Sequence, residues 1–205
     1  MAIVVIGGNS RNIGKTSAVC ALISALRERH WTAIKITQFD DEAGSTHGKS
    51  HDEAAHNTAG IFEEHDASAN TDSSRYLAAG AVRSLWVRTH QGQLAEAMPA
   101  IRAEIARAEN VIIESNSVLG FLNPDVYVSV LDPEVEDFKL SALRYLDRAD
   151  AVLLPAKTIA DAVWKGSSLK SIAQIPRFEI APPDYSSSEF VAFIVRKLEQ
   201  KIVSR

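Results

Sequence analysis

The feature that most constrains the fold of this chain is a glycine-rich segment at residues 7–17, GGNSRNIGKTS. A short apolar run at residues 2–6 precedes it. Apolar residues follow it at helical spacing, at Val19, Leu22 and Leu26. A buried strand, a glycine-rich turn that ends in Gly-Lys-Thr and a helix form the pattern of a phosphate-binding loop.

This pattern carries a specific chemistry. Glycines let backbone N–H groups converge on phosphate oxygens, Lys15 brings a positive charge to the β- and γ-phosphates, and the Thr16 hydroxyl can bind Mg²⁺. The sequence therefore predicts a nucleotide site at the start of the fold. The residues predicted to contact the nucleotide are Gly8, Asn9, Ser10, Arg11, Asn12, Ile13, Gly14, Lys15, Thr16 and Ser17.

The spacing of the loop differs from the common form G-x-x-x-x-G-K-[ST]. Asn9 stands five residues before Gly14, and the nearest glycine is Gly8, so this loop is one residue longer. The alternative is a turn that ends in Gly-Lys-Thr by chance. The strand before the loop and the helix after it favour phosphate binding, because the mechanism needs both.

Composition limits the class of protein. A chain of 205 residues with 46% hydrophobic residues can bury one core, and a net charge of −4 argues against a general nucleic-acid binder. The single cysteine, Cys20, excludes an internal disulfide and suits a reducing cytosol. No signal peptide or long apolar run is found, so we expect a cytoplasmic protein without a membrane partner.

Apolar runs and helical patterns alternate along the chain. This alternation predicts an α/β fold of three layers, with a mostly parallel sheet and helices on both faces, and together with the phosphate-binding loop it predicts a P-loop NTPase-like fold. Residues 40–70 show no periodicity, and we expect one domain with a flexible insertion there. Strands are predicted at 2–6, 32–37, 84–87, 111–114, 126–131, 151–154 and 177–180, and helices after the loop, at 72–79, 94–108 and 140–146 and from 187 onward.

Ligands of such a sheet bind where strands end, so charged residues at those places are candidate site residues. Lys35 and Glu114 end two predicted strands, and we expect both to act in catalysis together with Lys15. Glu114 and Asp40 are expected near Mg²⁺ with Thr16. Lys35 could instead reach outward at a sheet edge.

Two further charged residues, Asp72 and Arg75, stand at the start of a predicted helix. They are candidates for a substrate or phosphate contact. The alternatives are a helix cap for Asp72 and a solvated surface cation for Arg75.

Four histidines, His47, His51, His56 and His65, lie among acidic residues in or near the predicted insertion. Imidazole and carboxylate at this density can bind Zn²⁺ or Ni²⁺. The alternative is a solvated acidic loop, and the spacings match no closed zinc module.

Together with the loop, residues 71–81 (TDSSRYLAAGA) and 111–116 (VIIESN) resemble the molybdopterin-guanine dinucleotide biosynthesis protein B family of P-loop proteins. In that family an Asp-Ser/Thr-x-Arg stretch leads into an Ala-Gly-Ala turn, and one strand ends in a Glu near the nucleotide phosphates. The resemblance covers roughly the first 155 residues. The longer loop is similar to that of dethiobiotin synthetase, an ATP-dependent ligase.

Both resemblances imply a nucleoside triphosphate, GTP or ATP, with Mg²⁺, Lys15 on the phosphates, and Thr16 and Glu114 on the metal side. They also imply a homodimer, and the first implies a protein partner in cofactor biosynthesis. The chain departs from both families in having Ser115 where Gly is usual, and it lacks a guanine-reading motif because Lys157 and Asp161 are too far apart. Base identity stays open; residues 155–157 and 181–184 are expected to flank the base.

Three functions remain open from the sequence. The first is a P-loop protein that binds and slowly hydrolyses GTP or ATP in the biosynthesis of a molybdopterin-type cofactor. The second is an ATP-dependent ligase that resembles dethiobiotin synthetase. The third is a nucleotide-gated metallochaperone or regulatory switch that uses the histidines.

Overall fold

The computed structural model describes residues 1–39, 58–155, 163–164, 167–168, 174–181, 185 and 187–203. Several sequence predictions fall outside these residues. They concern Asp40, most of the proposed insertion, three of the four histidines (His47, His51 and His56), and Lys157 and Asp161.

The described chain alternates strands and helices. The helices are α1 (Lys15–Ala25), α2 (Asp72–Ala79), α3 (Leu94–Ala106), α4 (Leu140–Tyr145) and α5 (Ser188–Val203). The strands are β1 (Ile3–Gly8), β2 (Trp31–Phe39), β3 (Gly60–Glu64), β4 (Arg83–His90), β5 (Asn110–Glu114), β6 (Val126–Val130), β7 (Ala151–Pro155), β8 (Val163–Trp164), β9 (Ser167–Ser168) and β10 (Arg177–Ile180).

Eight of these strands form one sheet in the order β10-β7-β6-β1-β5-β2-β4-β3. Neighbouring strands are parallel except β3, which runs antiparallel to β4 at the sheet edge. The strand that carries the glycine-rich loop, β1, lies inside the sheet between β5 and β6. The loop therefore opens at the carboxyl edge of the sheet, with the ends of β6 on one side and of β5 and β2 on the other.

Helices cover both faces of this sheet. Helices α1, α2 and α5 pack on one face, over alternate β1 residues such as Val4 and Ile6. Helix α3 packs on the opposite face, over Val5 between them. These contacts confirm the predicted three-layer α/β fold, in which the side chains of a strand alternate between the two faces. Among the described helices, none has the length and hydrophobicity needed to cross a lipid bilayer.

The strand β3 lies where the sequence predicts an aperiodic connection. Its residues, Gly-Ile-Phe-Glu-Glu, do not alternate between apolar and polar, because an edge strand is only partly covered. Phe62 is 40% exposed there. Glu63 accepts hydrogen bonds from Arg83 on β4, one of them 2.7 Å long, so cross-strand charge pairing helps to hold the edge.

The predicted bounds of α2 are confirmed, and its caps explain them. Thr71 is the N-cap, and its hydroxyl accepts the Ser74 N–H at 3.0 Å while the Ser74 hydroxyl accepts the Thr71 N–H, which makes a capping box. Gly80 ends the helix with φ of 109°. Because Thr71 supplies the cap, the Asp72 side chain is left for other contacts.

Candidate functional site

The glycine-rich loop turns directly from β1 into α1. Gly14 precedes the first helical residue with φ of 92°, a left-handed conformation that favours glycine. Within residues 1–39, no side chain caps α1, and its first turn holds no acidic residue. The N–H groups at this helix end are therefore available to an anion, and the helix dipole favours one.

The start of the loop is fixed by a side-chain amide from another strand end. Asn116, just past β5, accepts the Gly8 N–H and donates to the Gly8 carbonyl, both at 2.8 Å. A Cβ at the preceding residue, Gly7, would overlap the Asn116 amide oxygen and lie 3.0 Å from the Tyr127 ring. Glycine is thus required at position 7 because these two side chains fill the space beside it.

The middle of the loop is bound to the segment that follows β6. The buried Asn9 side chain accepts the Asp132 N–H at 2.9 Å and donates to the carbonyl oxygens of Asp132 and Asp137. The Ser10 hydroxyl donates to the Asp137 carboxylate at 3.1 Å. The side chains of Asn9 and Ser10 therefore shape the loop, and Arg11 and Asn12 are the exposed side chains at its tip.

Lys15 lies folded over the loop and donates to the Ser10 carbonyl oxygen. Burial lowers the pKa of Lys15 to about 8, although the charge of Glu114 acts in the opposite direction. A lysine whose charge is poorly solvated gains most from a phosphate oxygen nearby.

Lys35, Asp72, Glu114 and Thr16 form one polar cluster beside the first turn of α1. The Lys35 Nζ lies 2.9 Å from Glu114 Oε1 and 3.4 Å from Thr16 Oγ1, and it also pairs with Asp72 Oδ2. The Thr16 hydroxyl donates to Glu114 Oε2 at 2.7 Å. Burial alone would lower the pKa of Lys35, but the charge of Glu114 and the hydrogen bonds to Asp72 and Glu114 outweigh it and raise that pKa.

Tyr76 completes the cluster from α2. Its side chain is fully buried, and its hydroxyl donates to Glu114 Oε2. Burial, followed by the charge of Glu114, raises the pKa of Tyr76 well above its usual value, so the phenol keeps its proton and stays a donor. Glu114 is therefore held by Tyr76, Thr16 and Lys35 in one orientation.

The structure brings together most of the residues singled out in the sequence. Lys15 and Thr16 lie at the loop, with Lys35 and Glu114 beside them. Arg75 donates to the Ser17 hydroxyl at 2.9 Å and lies 3.6 Å from Asp72.

Sequence reasoning assigned no role to Tyr76, to Asn116 or to the segment at 132–139. A signal for Tyr76 was present, because it stands four residues after Asp72 and so shares a helix face with it. The contacts that Asn116 and the segment at 132–139 make with the loop join residues more than a hundred positions apart in sequence. No local sequence pattern predicts such contacts.

The described residues give little support to a metal site built from the histidines. His65 is exposed, and the described ranges contain no group of three or more His, Cys, Asp or Glu side chains that could hold a metal ion.

Comparisons with known proteins agree on the fold. No protein-family model and no curated protein sequence matches the chain. HypB from Helicobacter pylori, solved in complex with nickel, has a TM-score of 0.51 and 18% identity over 97% of this chain and 87% of HypB. An "apo" form of LpxK from Aquifex aeolicus, in complex with ATP, has a TM-score of 0.50 and 16% identity over 87% of this chain.

The match covers 53% of LpxK, so this chain spans about half of that protein's length. The sheet order and these two similarities agree with the arrangement predicted from the loop. The chain has a P-loop NTPase-like fold.

Proposed function

We propose that this protein binds a nucleoside triphosphate, GTP or ATP, with Mg²⁺ and hydrolyses it slowly. The observation that carries this proposal is the convergence of Lys15, Thr16, Lys35 and Glu114 on the uncapped first turn of α1. Two lysines beside a helix N-terminus suit a polyphosphate, and a hydroxyl with a carboxylate suits its metal ion.

The donor set fits Mg²⁺, which prefers oxygen ligands. Thr16 Oγ1, Glu114 Oε1 and Asp72 Oδ2 all surround the Lys35 ammonium, so three oxygen atoms already face one cation. Thr16 and Glu114 would hold the ion, with Asp72 nearby. When bound there, Mg²⁺ would neutralise charge on the phosphates.

The place of Lys35 favours the ligase as a second candidate function. A second lysine beside the Mg²⁺ ligands can stabilise charge that develops when a phosphoryl group moves to a carboxylate or carbamate acceptor. Turnover of ATP that rises with one member of a pool of carboxylic acids would support this function, and turnover that is equal across the pool would count against it.

A role in the biosynthesis of a molybdopterin-type cofactor, with a protein partner and as a homodimer in the cytoplasm, rests on the sequence resemblance. Light scattering after size exclusion tests the dimer.

The metallochaperone hypothesis rests on the histidines. It is tested by equilibrium dialysis with Ni²⁺ and Zn²⁺, in which absence of stoichiometric uptake would remove the hypothesis.

The central experiment is titration of the protein with ATP and with GTP in the presence of Mg²⁺. We expect binding of at least one nucleotide, and a loss of affinity of about 10- to 150-fold or more in Lys15→Ala, because a charged hydrogen-bond donor to phosphate is removed. Lys201→Ala, on the exposed face of α5, is the matched control. Absence of binding by the wild type to both nucleotides would overturn the proposal.

A further inference from the structure

Lys139 lies at the end of the segment that wraps the glycine-rich loop. Its N–H donates to the Asn9 carbonyl oxygen at 2.8 Å, and the preceding residue, Phe138, is 4% exposed in a small core with Leu131 and Ala142. The Asn9 side chain also accepts the Asp132 N–H. The segment at 132–139 is therefore attached to the loop at both of its ends. The root of the Lys139 side chain is therefore fixed beside the loop.

Lys139 is partly buried and lies near both cations and carboxylates. Burial lowers the pKa of Lys139, and the charge of Arg11 lowers it further, with a smaller effect in the same direction from Lys35. The charges of Asp137 and Glu114 act in the opposite direction. Lys139 in turn is one of the charges that lower the pKa of Lys15.

Within the described residues, neither the Lys15 nor the Lys139 ammonium forms a direct ion pair with a carboxylate. Among these same residues, the Lys139 ammonium makes no hydrogen bond or ion pair, and the Lys15 ammonium donates only to the Ser10 carbonyl oxygen. The two nearby carboxylates of the cluster, Glu114 and Asp72, are bound to Lys35. A partly buried cation that lowers the pKa of another costs free energy, and an anion bound near both would offset that cost.

The sheet order places Lys139 and Lys35 on opposite sides of the loop. The segment that carries Lys139 follows β6, which neighbours β1 on one side. Lys35 and Glu114 lie on β2 and β5, on the other side of β1. A polyphosphate that lies over the loop is thus flanked from both sides.

We propose that Lys139 is a second phosphate-binding lysine of this site, which contacts the nucleoside triphosphate from the side opposite to Lys35. The inference rests on the proposed nucleotide function and adds a binding residue to it. A purely structural role is a poor account of Lys139, because its ammonium makes no hydrogen bond or ion pair within the described residues, whereas its backbone N–H does bond to the loop.

The test compares Lys139→Met, Lys139→Arg and the matched control Lys201→Met by titration with ATP and with inorganic triphosphate in the presence of Mg²⁺. We expect Lys139→Met to weaken both ligands by about 10- to 150-fold, the range for a charged hydrogen bond. Lys139→Arg should restore most of the affinity, and Lys201→Met should bind like the wild type.

Thermal unfolding of the ligand-free variants separates binding from structure. Because burial disfavours the charge of Lys139 and lowers its pKa, its replacement by Met should leave Tm unchanged or raise it. Wild-type affinity in Lys139→Met would overturn the inference and leave the nucleotide function intact. Weak binding by both Lys139→Met and Lys139→Arg, together with a lowered Tm in both variants, would overturn it in the same way. Failure of the wild type to bind ATP, GTP and triphosphate would instead overturn the proposed function.

Discussion

The Lys35 ammonium lies 2.9 Å from the Glu114 carboxylate, and the two residues are direct neighbours in the register of β2 and β5. Their side chains are only 19% and 6% exposed, so the pair is largely withdrawn from water. A buried pair of this kind adds little net stability, but removal of one partner leaves an uncompensated charge. The pair therefore links the stability of the sheet to the chemistry of the site.

Replacement of one member of this pair should destabilise the fold strongly. We expect Lys35→Met to lower the free energy of unfolding by about 3–5 kcal/mol, because the buried Glu114 carboxylate then loses its partner cation. Glu114→Gln should also lower the free energy of unfolding. The loss in the double variant should be clearly smaller than the sum of the losses in the two single variants. Urea denaturation of the four proteins measures this coupling, and additive losses would contradict it. The Arg107–Glu104 pair is the control: the Arg107 side chain is 69% exposed and Glu104 also pairs with Arg83, so Arg107→Met should cost about 0–1 kcal/mol.

The Tyr76 hydroxyl should contribute to stability through its bond to Glu114. Tyr76→Phe removes a buried donor to a charged acceptor, and we expect a loss of about 1.5–3 kcal/mol in the free energy of unfolding. The same change should raise the Mg²⁺ concentration needed for nucleotide binding, because Glu114 is held less firmly. Tyr145→Phe is the matched control, since the Tyr145 hydroxyl makes no hydrogen bond within the described residues. Equal stability of Tyr76→Phe and the wild type would show that the bond adds nothing.

A methyl group at position 7 should disturb the loop. Gly7→Ala places a Cβ against Asn116 and Tyr127, and we expect a loss of about 1–3 kcal/mol in stability, as for overpacked cores. Nucleotide affinity should fall as well, because Asn116 holds the Gly8 peptide. Gly60→Ala is the control, since its Cβ would approach only the outer end of the Phe62 ring, at 3.3 Å. The prediction is wrong if both variants unfold at the same urea concentration.

Nucleotide binding should depend on pH through Lys15. Its pKa is about 8 in the folded protein, whereas a lysine in the unfolded chain has the ordinary value of 10.5. Between these values the unfolded chain holds a proton that the folded chain has released, so Lys15 makes the free protein more stable as the pH rises through that window. Phosphate binds the protonated form, so affinity should fall above about pH 8.

Calorimetry in two buffers of different ionisation enthalpy tests this dependence. We expect proton uptake on nucleotide binding at about pH 9 and almost none at about pH 6.5, where Lys15 is already protonated. Equal proton uptake at both values would exclude Lys15 as the titrating group. Lys35 should not contribute, because its pKa is raised in the folded protein.

The sequence by itself determined the features that depend on neighbouring residues. The strand, the loop and the start of α1 follow from the order of apolar residues and glycines, and the capped α2 follows from Thr71 and Gly80. The alternation of strands and helices also indicated the α/β class. These features are readable because helix and strand periods, caps and turns act over a few residues.

Only the tertiary structure decided which strand ends meet. The sheet order β1-β5-β2 brings Lys35 to Glu114 and Asn116 to the glycine loop, and the packing of α2 on the same face as α1 brings Tyr76 to Glu114. The segment after β6 contacts the loop from the other side and places Lys139 beside it. The edge strand β3 forms because β4 offers it backbone partners. Such contacts depend on strand order and register, which are fixed by packing of the whole sheet rather than by any local pattern.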